Sequence, residues 1–260
     1  MTDERMKLIE PILNTIENED IKEFAVALLD DLPEYVWTVP ASSTGKYHPA
    51  YSLGDGGLMR HQIAVVRFLN FFFELEQYSS KLTSREMDLM RVAGLVHDGM
   101  KSGTQEQFSN NKYTKFEHPV LMAEKIRSYD RKYLCTEELE LVADAISRHM
   151  GAWNTDKKSS MVLPKPNDKF SRMLHVADYL ASRKSLTMEF DNYVAEAPKK
   201  VEWDENYVMP FGKHAGQKLI DIYYCHSDYI DWVEQNVKKP DVINMIKAMR
   251  KYLKDNDKEL

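Results

Sequence analysis

Cysteine is scarce: the chain has only Cys135 and Cys225, far apart and in no CxxC pattern. That excludes a disulfide framework and a thiolate zinc site, and both thiols are expected to be reduced and structural. Long apolar runs are absent too. No stretch approaches the roughly 18 to 20 apolar residues of a membrane span, so no membrane partner is expected. The opening "MTDERMKLIE" lacks the basic and apolar regions of a signal peptide, which leads us to expect a cytoplasmic protein. Positive charge is not in excess: the formal net charge of -6 gives no global pull toward nucleic acid or anionic lipid, and a local basic patch stays open. Several catalytic signatures are also missing. "GDGGLM" at Gly54 fits neither GxGxxG nor GxxxxGK[ST], and there is no GxSxG elbow and no HExxH.

What is present is helical periodicity. With 43% apolar and 11% aromatic residues in 260, the chain can build one sizeable core and a small second domain. Leu8, Ile9, Ile12, Leu13 and Ile16 follow i, i+3/i+4 spacing, and Asp20 with Glu23 reads as a capping box for a second helix. After a Pro, Ser and Gly-bearing loop, helices are expected over about 58–75, from Thr83 into His97 and Asp98, and over about 117–129, 136–150 and 168–185. The expected fold is mainly α: a helical domain over 1–185, a polar linker over 186–204, and a small α+β module over 205–260. In that module, "YVMPFGKHAGQKLIDI" reads as two short β-like runs around a turn, and a terminal helix carries Val242, Ile246, Met249 and Leu253 on one face.

Ligand-forming side chains recur at the ends of these helices. His61 follows "GGLMR", His97 and Asp98 close "GLVHD", His118 opens "HPVLMAEKI", His149 ends "ISRH" and Asp178 lies in "LHVADYLASR" with Leu174 and Ala181 on its face. Any one histidine near a helix end is more often a cap or a hydrogen-bonded core residue. Four histidines and two aspartates on five segments, in the order H, HD, H, H, D, reverse that reading. Imidazoles and carboxylates suit iron, manganese, cobalt, nickel or zinc better than calcium or magnesium, so a transition-metal centre within helices is expected.

Over about residues 40–185 this arrangement resembles the HD-domain superfamily of metal-dependent phosphohydrolases. The carriers are "GGLMRHQIAVV", "GLVHDGMK", "EHPVLMAEKI", "ISRHMGAW" and "VADYLASR". Within it the chain looks most like the bacterial HD-domain 3′→5′ exoribonucleases, which share "YHP…GGL..H". It departs from the cyclic-di-GMP phosphodiesterases, lacking "HH…GYP". The resemblance implies two divalent transition metals, one held by His61, His97, Asp98 and Asp178, the other by His118, His149 and a bridging Asp98. It implies cleavage of phosphodiester bonds in nucleic acid or nucleotides by a metal-bridging hydroxide, with Asp98 and Lys101 as the catalytic pair. Four neutral imidazoles and two carboxylates around two dications leave about two net positive charges, which suits an anionic substrate.

Lys46 and His48, in "STGKYHP", are candidates for a substrate-touching lip. His175 reads as a hydrogen-bonding residue behind the ligands, and His214 and His226 as surface residues. Residues 205–236 resemble the C-terminal domain of exodeoxyribonuclease X-type proteins, which makes Phe211, Lys213 and Trp232 candidates for nucleic-acid contact. Tyr229, at i, i+3 from Trp232, also suits a small core. Three other functions stay open: a nucleotidase for small nucleotides, a mixed-valent diiron oxygenase of the same superfamily, and a noncatalytic binding protein.

Overall fold

The structure is a computed structural model that describes residues 1–42, 45, 47–110, 114–190, 202–237 and 239–256. The chain divides into two compact units, Met1–Ala195 and Glu196–Leu260. The first contains α1 (Asp3–Leu13), α2 (Glu19–Asp30), α3 (Gly57–Glu74), α4 (Glu76–Ser79), α5 (Ser84–Val96), α6 (Gln105–Asn110), α7 (His118–Arg127), α8 (Thr136–Ser147) and α9 (Lys169–Ala181). The second contains α10 (Leu219–Cys225), α11 (Ser227–Asn236) and α12 (Pro240–Asp255). No helix among the described residues is long and apolar enough to cross a membrane.

The first unit is a helical bundle organised around α3, which packs against α5 and α9, while α7 packs against α8. Leu58, Met59, Ile63, Val65, Val66, Leu69, Phe72 and Phe73 are all buried, so α3 is apolar around most of its circumference and serves as the bundle's interior. Helix starts are set by local chemistry. At α5 the Thr83 hydroxyl accepts from the Glu86 backbone N–H at 3.1 Å and the Glu86 carboxylate accepts from the Thr83 N–H at 2.7 Å. At α9 Asp168 accepts from the Ser171 N–H at 2.7 Å.

The start of α2 differs from the sequence expectation. Asn18, not Asp20, holds the N-cap position, and Asp20 instead pairs with Arg85 at 2.7 Å. The anchor is Asp88 of α5, fully buried, which accepts from the N–H groups of Glu17 and Asn18 and from Arg91 at 2.6 Å. One carboxylate thus satisfies two orphan donors at the mouth of another helix.

The second unit is more helical than expected. The β-like runs reduce to a single antiparallel bridge between Val208 and Lys218, and "LIDIYYC" forms α10. The turn between them carries Gly212 at φ 77° and Gly216 at φ 81°, conformations open to glycine. Its core gathers Met209, Leu219, Ile222, Tyr229, Ile230 and Val233 with Val242, Ile246, Met249 and Leu253 of α12. His214 is buried here, contrary to its reading as a surface residue: its Nδ1 meets Gln217 Oε1 at 2.7 Å and its ring lies 4.7 Å from that of Tyr229. His226 is exposed.

Candidate metal centre

Three of the four histidines of the cluster, His97, His118 and His149, sit where a helix starts or stops, and the local backbone orients them. α5 ends at Val96, and His97 and Asp98 occupy the turn beyond it. Gly99 allows that turn, since a Cβ there would lie 2.7 Å from Leu32 Cδ2. His97 Nδ1 donates to Gly94 O at 2.9 Å, His118 Nδ1 to Lys115 O at 2.6 Å, and His149 Nδ1 to Ile146 O at 2.8 Å. In all three the acceptor is the carbonyl three residues back. The repeated bond fixes one tautomer and leaves the Nε2 lone pair facing inward, as a metal-ligating histidine requires. His61, on the buried face of α3, differs: its Nδ1 has no partner and its Nε2 lies 3.0 Å from Asp178 Oδ1.

The two aspartates organise the imidazoles into two groups. Asp98 Oδ1 lies 3.0 Å from His118 Nε2 and 3.8 Å from His149 Nε2. Its other oxygen, Oδ2, lies 3.7 Å from His97 Nε2 and 4.0 Å from His61 Nε2. Asp178 Oδ1 closes the second group, 3.7 Å from His97 Nε2. The four imidazoles and Asp98 are buried, and Asp178 keeps 22% side-chain exposure. Lys101 folds back so that its ammonium is 2.5 Å from Asp98 Oδ2.

Electrostatics keeps this set ready for cations. Burial opposes ionisation of both aspartates, but Lys101, His97 and His118 hold Asp98 well below the usual carboxylate range, and His61 and His97 do the same for Asp178. Burial, with His97 nearby, pushes His149 down to about 3, so its ring is neutral. His97 goes the other way: burial lowers it, and the carboxylates of Asp98 and Asp178 more than offset that. Cations at the cluster would supply counter-charge to the two carboxylates. The buried Nε2 atoms of His97 and His118 have no hydrogen-bond partner, an arrangement that is costly unless something coordinates them. Nitrogen and carboxylate donors at this spacing fit divalent transition metals.

The structure brings together all six sequence-proposed ligands and Lys101. His48 joins them, with its ring 5.7 Å from His61 and its pKa pushed down to about 4 by burial and by His61 and Lys101. Lys46 lies outside the described residues. His175 is not among the clustered ligands; its Nδ1 donates to His149 O at 2.7 Å, bracing the backbone behind a ligand. Phe211, Lys213 and Trp232 belong to the second unit: Lys213 Nζ stands 5.0 Å from the Tyr229 ring centroid, Lys239 Nζ 4.3 Å from that of Phe211, and the 53% exposed Trp232 stacks on Tyr229.

Sequence reasoning missed two features. Gly151 adopts φ 58° beneath His175, where a Cβ would come within 2.1 Å of the imidazole; the "HMG" spacing after His149 was its only local signal. Trp153 and Tyr179 stack on each other with exposed rings, Trp153 beside His175, and they are far apart in sequence with no shared period.

Comparison with known families matches the HD domain over residues 58–183. Searches of curated proteins and of solved structures gave no significant match. The matched segment runs from the start of α3 to just beyond α9 and contains all six clustered side chains. Residues 58–183 are therefore similar to an HD domain, and the histidine and aspartate cluster they contain is compatible with a metal site.

Proposed function

We propose that this protein is a metal-dependent phosphohydrolase that cleaves phosphodiester bonds of nucleic acid or nucleotides. One observation carries the reading: the Asp98 carboxylate offers Oδ1 to His118 and His149 and Oδ2 to His61 and His97, so it can bridge two cations. His61, His97 and Asp178 complete one site, and His118 and His149 the other. Bound divalent ions would supply an activated water and neutralise charge on a phosphoryl oxygen.

The chain's own residues do the rest. Lys101 pins the Asp98 carboxylate and, at hydrogen-bond range of it, presents a cation to an anionic substrate. His48, neutral at physiological pH, offers hydrogen bonds at the rim rather than charge. His175 holds the His149 backbone in place. In the second unit, exposed Trp232 and the cation of Lys213 over Tyr229 supply stacking and phosphate-binding chemistry, with Phe211 beside Lys239. Resemblance to the 3′→5′ exoribonucleases makes single-stranded RNA the first substrate to try.

The test is cleavage of 5′-labelled single-stranded RNA and DNA with added Mn²⁺, comparing wild type with Asp98→Ala. A ladder of shortening products from wild type alone is expected. Equal turnover by metal-depleted protein would overturn the mechanism. Silence on both polymers with metal bound would move the assignment to small nucleotides, and iron-dependent oxygen uptake with an organic substrate would move it to oxygenase chemistry.

A further inference from the structure

Four aromatic side chains are exposed among the described residues of the first unit, Tyr47, Phe71, Trp153 and Tyr179, and three of them form one row. Trp153 stacks on Tyr179 with centroids 5.8 Å apart and planes at 16°. The Arg183 guanidinium lies 4.2 Å from the Tyr179 centroid and 6.0 Å from that of Tyr47. Arg183 is itself held, since its Nε donates to Tyr179 O at 3.2 Å.

The row is tied to the ligand-bearing segments at three places. Trp153 lies in a 3₁₀ turn four residues past His149, with its ring 6.1 Å from His175, which bonds the His149 carbonyl. Tyr179 follows Asp178, and Tyr47 precedes His48, whose ring is 5.7 Å from His61. Trp153 at 51%, Tyr179 at 40% and Tyr47 at 56% exposure leave ring surface to solvent that a core-building role would have covered. A planar, π-rich ligand with a nearby negative charge satisfies both the rings and the arginine. A nucleobase joined to a phosphodiester is such a ligand, because every base has a stackable face and arginine adds cation–π attraction.

We propose that Trp153, Tyr179 and Tyr47, with Arg183 between the rings, form a rim that stacks the nucleobases of a substrate whose phosphodiester lies at the adjoining cluster. The proposal deepens and rests on the phosphohydrolase reading by making the base, and not the phosphoester alone, part of what is recognised. It assigns specificity to residues outside the ligand set.

The experiment is calorimetric titration of the full-length protein with three phosphorothioate ligands, chosen to block turnover: a short oligouridylate, an abasic oligomer of the same length, and a uridine monophosphate analogue. Wild type is expected to bind the oligouridylate at least about tenfold more tightly than the abasic oligomer, the scale of one or more stacked bases. Trp153→Ala and Tyr179→Ala should each remove about tenfold of the affinity for the oligouridylate and leave the abasic oligomer unaffected. Trp153→Phe, which keeps a ring, should restore most of it, and Phe71→Ala, outside the row, should change nothing. Tighter binding of the oligomer than of the mononucleotide analogue assigns the rim to single-stranded nucleic acid, and equal binding assigns it to a nucleotide. Equal affinity of wild type for base-bearing and abasic oligomers, or equal losses on both in Trp153→Ala, overturns the rim. Since no turnover enters the titration, base discrimination without any hydrolysis overturns only the phosphohydrolase reading.

Discussion

Replacing Asp98 by asparagine keeps the side chain's size and removes the charge that faces both imidazole groups. Partners that merely orient metal ligands are worth about 10 to 100-fold in affinity, so loss of the shared carboxylate should cost at least about 100-fold. Asp98→Asn is thus expected to be purified with less metal and to lose hydrolysis together with it, read by elemental analysis beside activity; full metal occupancy would show that Asp98 is not a bridge. Lys101 separates the two properties. Lys101→Ala leaves every donor atom of the cluster in place and removes only the ammonium beside Asp98 Oδ2. Metal content should hold while kcat falls by about 10² to 10³-fold, the scale of one missing electrostatic donor; unchanged kcat would make the lysine a structural partner. Gly151 tests the support behind the ligands. An alanine there takes an unfavourable φ of 58° and puts its Cβ into the His175 ring, so His175 must leave the His149 carbonyl. Gly151→Ala is expected to lower stability by about 1 to 3 kcal/mol and to weaken metal binding, read by thermal melts with and without Mn²⁺. An undiminished Mn²⁺-induced rise in Tm would detach this glycine from the site.

At the scale of the helix, α5 links stability to the site, because it packs on α3 and ends where His97 begins. Gly94 allows the close approach: a Cβ would lie 2.8 Å from Leu69 Cδ1 and 3.3 Å from Val65 Cγ1, and its carbonyl is the acceptor for His97 Nδ1. Gly94→Ala therefore overpacks the α3–α5 contact and is expected to cost about 1 to 3 kcal/mol in denaturant unfolding; a gain in stability would mean the helices separate freely. The longer helices of the first unit were legible in sequence because their signals are local, as with apolar spacing on α3 and the Thr83–Glu86 box on α5, whereas the short α4 and α6 carry too few turns to show a period. The cluster was legible for a similar reason, since three of its four histidines, His97, His118 and His149, take their tautomer from a carbonyl three residues back. What escaped depends on distant partners. Asp20 reads as a cap until Asp88, about seventy residues on, claims the adjoining N–H groups. The row from Trp153 to Tyr47 draws on three separate stretches of chain, and His214 is buried by a turn whose strands are too short to show alternation.

For the molecule as a whole, each compact unit has an apolar core of its own, one built around α3 and the other around α10 to α12. All six clustered side chains lie in the first unit, so the proposed chemistry calls for no ligand from the second. A chain ending at Ala195 should then keep its helical content, its metal and its hydrolysis of a small chromogenic phosphodiester. What it gives up is the exposed Trp232 and the Lys213 cation, groups suited to stacking and phosphate contact. Stacking is worth about 1 to 3 kcal/mol per base, so truncation should raise KM for single-stranded RNA by about tenfold or more, with kcat little changed. Comparing the two substrates on one preparation separates the roles. A parallel fall on both would make the second unit a structural support for the first, and no change on either would free it for a task unconnected with hydrolysis.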